Sequence, residues 1–264
     1  MFFGFFIVTH SMIILISPAK SLNLDPSISE LHSTPVFQKE ANRLVKDLRQ
    51  YSSDDLQNLM SVSTAIADEN VRRFKQFKMR SPEKVSKNAV ELFAGDVYKG
   101  LNVSDFSKTD FEFAQKHLRI LSGLYGVLKP GDQIQPYRLE MGTRLKTDHG
   151  NNLYDFWDNK ITKEINKALK ESGDMNLVNL ASNEYFKSIK KAKLKANVIN
   201  INFKEYHQGT LKFLSFNAKV ARGMMTRYII KNRIADIQDL KGFDMDNYSF
   251  SEEHSTDQNW LFIR

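Results

Sequence analysis

The chain has 264 residues, 38 Lys/Arg against 31 Asp/Glu, and no cysteine. That length can bury a substantial core in one large domain or two small ones. The missing thiols exclude disulfides, zinc fingers, iron–sulfur clusters held by thiolates, and peroxide sensing through a cysteine of its own.

The net charge of +7 is unevenly spread. Residues 160–241 carry 17 basic and 7 acidic side chains, residues 242–264 carry 1 and 5, and the first 159 carry 20 and 19. A concentrated basic stretch attracts phosphate-bearing partners. The plainer reading is a lysine-coated solvated surface. The six histidines form no H-x-H or H-x-x-x-H pair, so no metal site is expected.

Residues 1–16 read MFFGFFIVTHSMIILI. No positive charge precedes the apolar run, and Thr9-His10-Ser11 interrupts it, unlike a secretory signal. No apolar run reaches the roughly 18 residues of a membrane span. Ile13–Ile16 reads as a buried first strand stopped by Ser17-Pro18. Met12 is the expected start, with residues 1–11 an upstream extension outside the fold and 12–264 a single domain.

Val36, Phe37, Ala41, Leu44, Val45 and Leu48 share a helical face over Val36–Tyr51. Ser53-Asp54-Asp55 caps a short helix through Met60, and Ser63 or Thr64 opens another to about Met79. Val90–Phe93 reads as a strand ended by Gly95-Asp96, Phe111–Lys116 as a helix, and Leu118–Leu121 as strand or helix. Lys129-Pro130-Gly131-Asp132 is a turn. Leu153–Leu169 reads as one amphipathic helix stopped at Ser172-Gly173-Asp174. Leu177–Leu180 reads as a buried strand running into Ser182-Asn183-Glu184, a helix cap. Val198–Phe203 alternates apolar residues with Asn and pairs with Leu211–Phe216 through a turn near Gln208-Gly209. Asn217 caps a helix to about Asn232. Strands alternating with helices predict an α/β domain with a mixed β-sheet flanked by helices.

Several residues could carry chemistry. Lys20 follows the first strand, and ligands of open α/β sheets gather at carboxyl ends of strands. It could hold a phosphate or act as a nucleophile; it could equally be a surface lysine. In the extended segment Gln135–Thr143, Arg138 and Glu140 fall on one face, opposite Tyr137, Leu139 and Met141. That pair is either structural or a guanidinium fork held ready for phosphate. Lys187 lies one turn after a helix cap, where anions are favoured. Lys219, Arg222, Thr226 and Arg233 fall in one arc of the last helix, against Val220, Ala221, Met224 and Tyr228. Gly223, within that helix, suggests a close approach by backbone or ligand, or tight packing. Gly123-x-x-Gly126 with Lys129 could present backbone N–H groups to a phosphate. Walker A, G-x-G-x-x-G, G-x-S-x-G and H-E-x-x-H are all missing.

The blocks Ser17-Pro-Ala-Lys20, Gly95-Asp-Val-Tyr-Lys-Gly-Leu101, Leu118-Arg-Ile-Leu-Ser-Gly-Leu-Tyr-Gly-Val-Leu-Lys-Pro130, Gln135-Pro-Tyr-Arg-Leu-Glu-Met-Gly-Thr143, Ala181-Ser-Asn-Glu-Tyr-Phe-Lys187 and Ala218-Lys-x-Ala-Arg-Gly223 stand in this order. Together they resemble the YaaA-like peroxide stress resistance proteins, from Met12 to Phe262-Ile-Arg264. The resemblance implies a bacterial cytosolic protein that limits peroxide damage by keeping unincorporated iron low. It also implies an α/β fold with a positively charged cleft, a helix-hairpin-helix element and DNA binding. The cleft residues carried over are Lys20, Arg138, Glu140, Lys187, Lys219 and Arg222. The hairpin falls either at Gly123–Gly126 or in the turn after Asn232.

Three functions follow as expectations. The first is a DNA-binding protein of oxidative stress, without cofactor, membrane or identifiable protein partner, acting as a monomer in the cytoplasm. The second is an enzyme acting on nucleic acid or a phosphorylated small molecule through Lys20 with Arg138 and Glu140. The third, direct iron sequestration, is opposed by the absent cysteine and unclustered histidine.

Overall fold

A computed structural model describes residues 12–264. The expected extension, residues 1–11, lies outside the described residues. The chain runs β1 (Ile13–Ile16), α1 (Gln38–Leu48), α2 (Ser53–Met60), α3 (Thr64–Gln76), β2 (Lys87–Asn88), α4 (Ala89–Leu92), α5 (Asp96–Leu101) and α6 (Lys108–His117). It continues through β3 (Leu118–Ser122), β4 (Gly126–Leu128), β5 (Gln133–Ile134), α7 (Leu153–Trp157), α8 (Lys160–Ser172), β6 (Asn176–Asn179) and α9 (Asn183–Phe186). The last elements are β7 (Asn197–His207), β8 (Thr210–Lys212), α10 (Ser215–Asn232), β9 (Ser249–Phe250) and β10 (Asn259–Ile263).

The expected architecture is present: one domain built on a mixed eight-stranded sheet, ordered β4-β3-β1-β6-β7-β10-β9 with β8 paired to β7. A strand buried on both faces of a parallel sheet needs an unbroken apolar run. Ile13–Ile16 meets that need, and all four side chains are fully buried. Ile14 pairs in parallel with Leu118 on one side and Val178 on the other, which fixes β1 as the central strand. The alternation in β7 buries Ile199, Ile201 and Phe203. Its asparagines form cross-strand bonds instead: Asn179 Nδ2 donates to Asn200 Oδ1 at 2.9 Å, and Asn200 Nδ2 to Asn259 Oδ1 at 3.1 Å.

Six local expectations need correction. Val90–Phe93 is not a strand; Ala89–Leu92 form a helical turn whose first N–H groups, of Ala89 and Val90, donate to the carbonyls of Asp132 and Pro130. A four-residue apolar run has no period of its own, and those carbonyls decide its form. Leu153–Leu169 is two helices, broken where Asp158 takes φ 40°. Leu211–Phe216 stops pairing at Lys212, and Ser215 already begins α10, so its N-cap is Leu214 and Asn217 lies inside the helix, donating Nδ2 to Glu205. Val36 is not on the buried face of α1; it precedes the helix and is exposed. The α2 cap is Ser52, whose hydroxyl accepts from the Asp55 amide while Asp55 accepts from the Ser52 amide.

No helix among the described residues is long and apolar enough to cross a membrane.

Candidate functional site

From β1 the chain first crosses to β3 on one side and later returns to β6 on the other. Loops leaving β1 and β6 at their carboxyl ends therefore diverge, and such a switch point leaves a crevice. Here it is a cavity of about 830 Å³. The β1 loop contributes Ser17 and Lys20, and the β6 loop contributes Ser182 and Glu184. The two loops are tied together. The Ser182 amide donates to Ser17 Oγ at 2.9 Å, and the Tyr98 hydroxyl donates to the Ser17 carbonyl at 3.2 Å.

Four cations line this cavity, Lys20, Lys99, Lys219 and Arg222, together with four carboxylates, Glu91, Asp96, Glu140 and Glu184. The formal charge of the lining is therefore balanced, and what matters is which charges are already satisfied. Glu91 accepts the Ile28 amide and Asn88 Nδ2, both at 2.7 Å. Glu184 accepts the Gly142 amide at 2.8 Å. Asp96 faces Lys99 at 3.4 Å. Glu140 bridges two cations, with Lys20 Nζ 2.7 Å from Oε2 and Arg138 Nη2 3.1 Å from Oε1.

Arg222 differs from the others. It projects from α10 into the cavity, makes no ion pair, and its Nε is buried without a hydrogen-bond partner. Burial alone pushes its guanidinium pKa down, with no carboxylate to offset it. A half-buried cation whose Nε has no partner is poised for an anion. Arg138 Nε is likewise buried and unpartnered, although that side chain also holds Glu140.

The six expected cleft residues thus separate. Lys20, Glu140, Lys219 and Arg222 line one cavity, and Arg138 joins it through Glu140. Lys187 does not line it; its ammonium lies 5.2 Å from the Tyr154 ring centroid on the exposed end of α9. The arc on α10 also resolves differently. Thr226 is buried and its hydroxyl donates to the Arg222 carbonyl at 2.8 Å. Arg233 lies beyond the helix end and pairs with Asp110 at 2.8 Å. Gly123–Gly126 is buried and joins two strands, with the Gly123 carbonyl accepting Trp157 Nε1 at 2.9 Å. It offers no open N–H cradle. The Lys129 amide donates to Asp132 Oδ2 at 2.8 Å, and Lys129 is outside the cavity. After Asn232, α10 ends at Arg233 with φ 52° and leads into a 3₁₀ turn at Ile237–Gly242. Sequence reasoning missed Lys99, Asp96, Ser17 and Ser182 as lining residues. The signal available was their place in the blocks Gly95–Leu101, Ser17–Lys20 and Ala181–Lys187.

Among the described residues, no group of three or more His, Asp or Glu is placed to hold a metal ion.

The fold and the cavity define an α/β protein whose mixed sheet carries a cavity lined by charged side chains at its switch point. Residues 12–254 match the family described as peroxide stress protein YaaA, and the chain belongs to that family. It is 47% identical to a UPF0246 protein of Acaryochloris marina over 253 residues, 96% of this chain and 100% of that one. UPF0246 proteins of Teredinibacter turnerae and Colwellia psychrerythraea are 46% and 45% identical over 254 residues, covering 96% of this chain and 99% of theirs. Membership associates the chain with peroxide stress, among bacterial relatives.

Proposed function

We propose that this protein acts in peroxide stress by binding DNA, protecting it and limiting the free iron that reaches it. The observation that carries this reading is Arg222, a cavity-lining guanidinium with no acidic partner among the described residues, in the same cavity as Lys20 and Lys219. Backbone phosphates would supply the missing charge. Lys187, exposed at the end of α9, would extend the contact beyond the cavity, and the segment after Asn232 is where this reading puts a helix-hairpin-helix element. The link to iron is electrostatic. A protein that neutralises phosphates releases the cations condensed on them, and ferrous ion is one such cation. This needs no metal site in the protein.

The test is a series of gel shifts on duplex and four-way-junction DNA across salt concentrations. A steep loss of affinity with salt is expected, and Lys219→Gln and Lys20→Gln should each reduce the slope by about one. A flat salt response, or no binding to either DNA, removes the reading.

The second reading is an enzyme built on Lys20, which lines the cavity after β1, where ligands of open α/β sheets gather. In this reading the Lys20 ammonium leaves Glu140 and gives its proton to solvent, and the amine condenses with the aldehyde of damaged DNA, losing water. Borohydride would then trap an adduct on Lys20, and its absence dismisses this version.

A further inference from the structure

Three aromatic side chains are exposed among the described residues, and all lie within 206–216: Tyr206 at 58%, Phe213 at 54% and Phe216 at 56%. Every other described aromatic is buried or half-buried. Leaving a Phe in water forgoes about 1.5–3 kcal/mol of burial. Three such residues gathered in one short stretch call for a ligand rather than chance.

The local structure explains their prominence. Strand β7 outruns its neighbour β10, whose last partner is Lys204, and beyond it only β8 pairs with β7. The hairpin turns at Gln208 and Gly209, both at positive φ. Phe213 follows β8, and Phe216 lies in the first turn of α10. The surroundings are cationic. Lys99 Nζ lies 5.5 Å from the Phe216 ring centroid, and Lys219 stands one turn further along α10, where i and i+3 side chains are neighbours. Both lysines line the switch-point cavity. The acid of the hairpin, Glu205, is engaged by Arg264 at 3.1 Å, the Tyr248 hydroxyl and Asn217.

We propose that Phe213 and Phe216 form a stacking platform for unpaired bases of a nucleic-acid strand whose phosphates run along Lys99 and Lys219 toward the cavity. This rests on the DNA-binding reading and specifies it. Paired bases are stacked on each other and offer no free face. Single strands combine stacking on aromatics with a basic track for the backbone, and here Lys99 lies beside the Phe216 ring with Lys219 one turn along the same helix. Tyr206, on the hairpin, is not needed for the platform.

The test uses the full chain carrying Phe213→Ala with Phe216→Ala. Anisotropy of fluorescein-labelled oligothymidylate and of a labelled duplex is measured at several salt concentrations. Affinity for oligothymidylate should fall by about tenfold or more, while duplex affinity and the salt slope stay unchanged. Phe216→Trp should retain affinity, and its fluorescence should be quenched on adding oligothymidylate. This second readout does not depend on the double variant folding. Equal loss on both DNAs, no loss on either, or an unquenched Trp overturns the platform. So does a loss confined to phosphatidylglycerol vesicles, or to self-association in sedimentation, with oligothymidylate binding intact. If the wild type binds neither DNA, the DNA-binding reading fails as well. If Lys219→Gln weakens both DNAs and the aromatic variants neither, only the platform fails.

Discussion

A β-carbon on Gly223 of α10 would stand 1.8 Å from the carbonyl oxygen of Val97 in α5, so the two helices cross backbone against backbone. The reverse contact is as close: a β-carbon on Gly100 would lie 2.0 Å from the Val220 carbonyl. Helix α5 carries Lys99 and Asp96 into the cavity, and α10 carries Lys219 and Arg222. The paired glycines therefore set the spacing of the cavity's charges. Alanine would gain about 1 kcal/mol of helix propensity. It would also force the helices apart, and overpacking against backbone costs about 1–3 kcal/mol or more. Gly223→Ala should lower the urea midpoint, with a net loss of about 2 kcal/mol, and weaken DNA binding. An unchanged midpoint would mean the crossing yields freely.

Arg222 should trade stability for binding. Its buried Nε is unpartnered and its charge unpaired. Replacing a half-buried, unpaired cation by an apolar group of similar length removes the desolvation cost of its buried Nε. Arg222→Met should raise the urea midpoint by about 1 kcal/mol of stability and lower DNA affinity by about tenfold. A midpoint that drops would show that the guanidinium has a structural partner in solution.

Glu140 pairs with both Lys20 and Arg138. Glu140→Gln keeps the shape and removes one of the four carboxylates that balance the cavity's four cations. At low salt, DNA affinity should rise about threefold, with the gain vanishing at high salt as screening takes over. If affinity falls instead, the carboxylate orients the two cations and its charge is secondary.

Acid should destabilise the fold in two stages. Burial lowers the pKa of His117, partly offset by its Nδ1 contact with the Met12 carbonyl at 3.1 Å. The fold thus favours neutral His117, and its contribution is complete above about pH 6.5 and declines as pH falls below that. Asp110 is the second. Burial opposes its ionisation, but hydrogen bonds from Lys231, the Ser107 amide and Arg233 outweigh burial and hold the carboxyl well below the ordinary range. Its contribution is complete above about pH 4 and is lost as pH falls further. Urea midpoints against pH check both: His117→Phe should flatten the curve between about pH 5 and 6.5, and Asp110→Asn below about pH 4.

Some of this was legible before folding because it is local. The β-branched run Ile13–Ile16 has only one place in an α/β protein, the middle of the sheet, and there it sits. The apolar period of α1 and the Gln208-Gly209 turn are likewise read from neighbours in sequence. The alternation at Tyr137–Met141 correctly separates buried Tyr137, Leu139 and Met141 from Arg138 and Glu140. Motif order also revealed the family.

Tertiary structure alone decided the rest. Ala89–Leu92 became helix because distant carbonyls at Asp132 and Pro130 accept its amides. Lys99 lines the cavity because α5 is held against α10 by two glycines more than a hundred residues apart in sequence, while Lys187, at the end of α9, lies outside it. A basic residue's number says nothing of its partner. Lys20 meets Glu140, Arg233 at the end of α10 meets Asp110 of α6, and Arg222 meets no carboxylate among the described residues, because the packing of loops and helices decides which charges converge. Periodicity carries the direction of a side chain relative to its own element; only the packing of elements carries its direction relative to another.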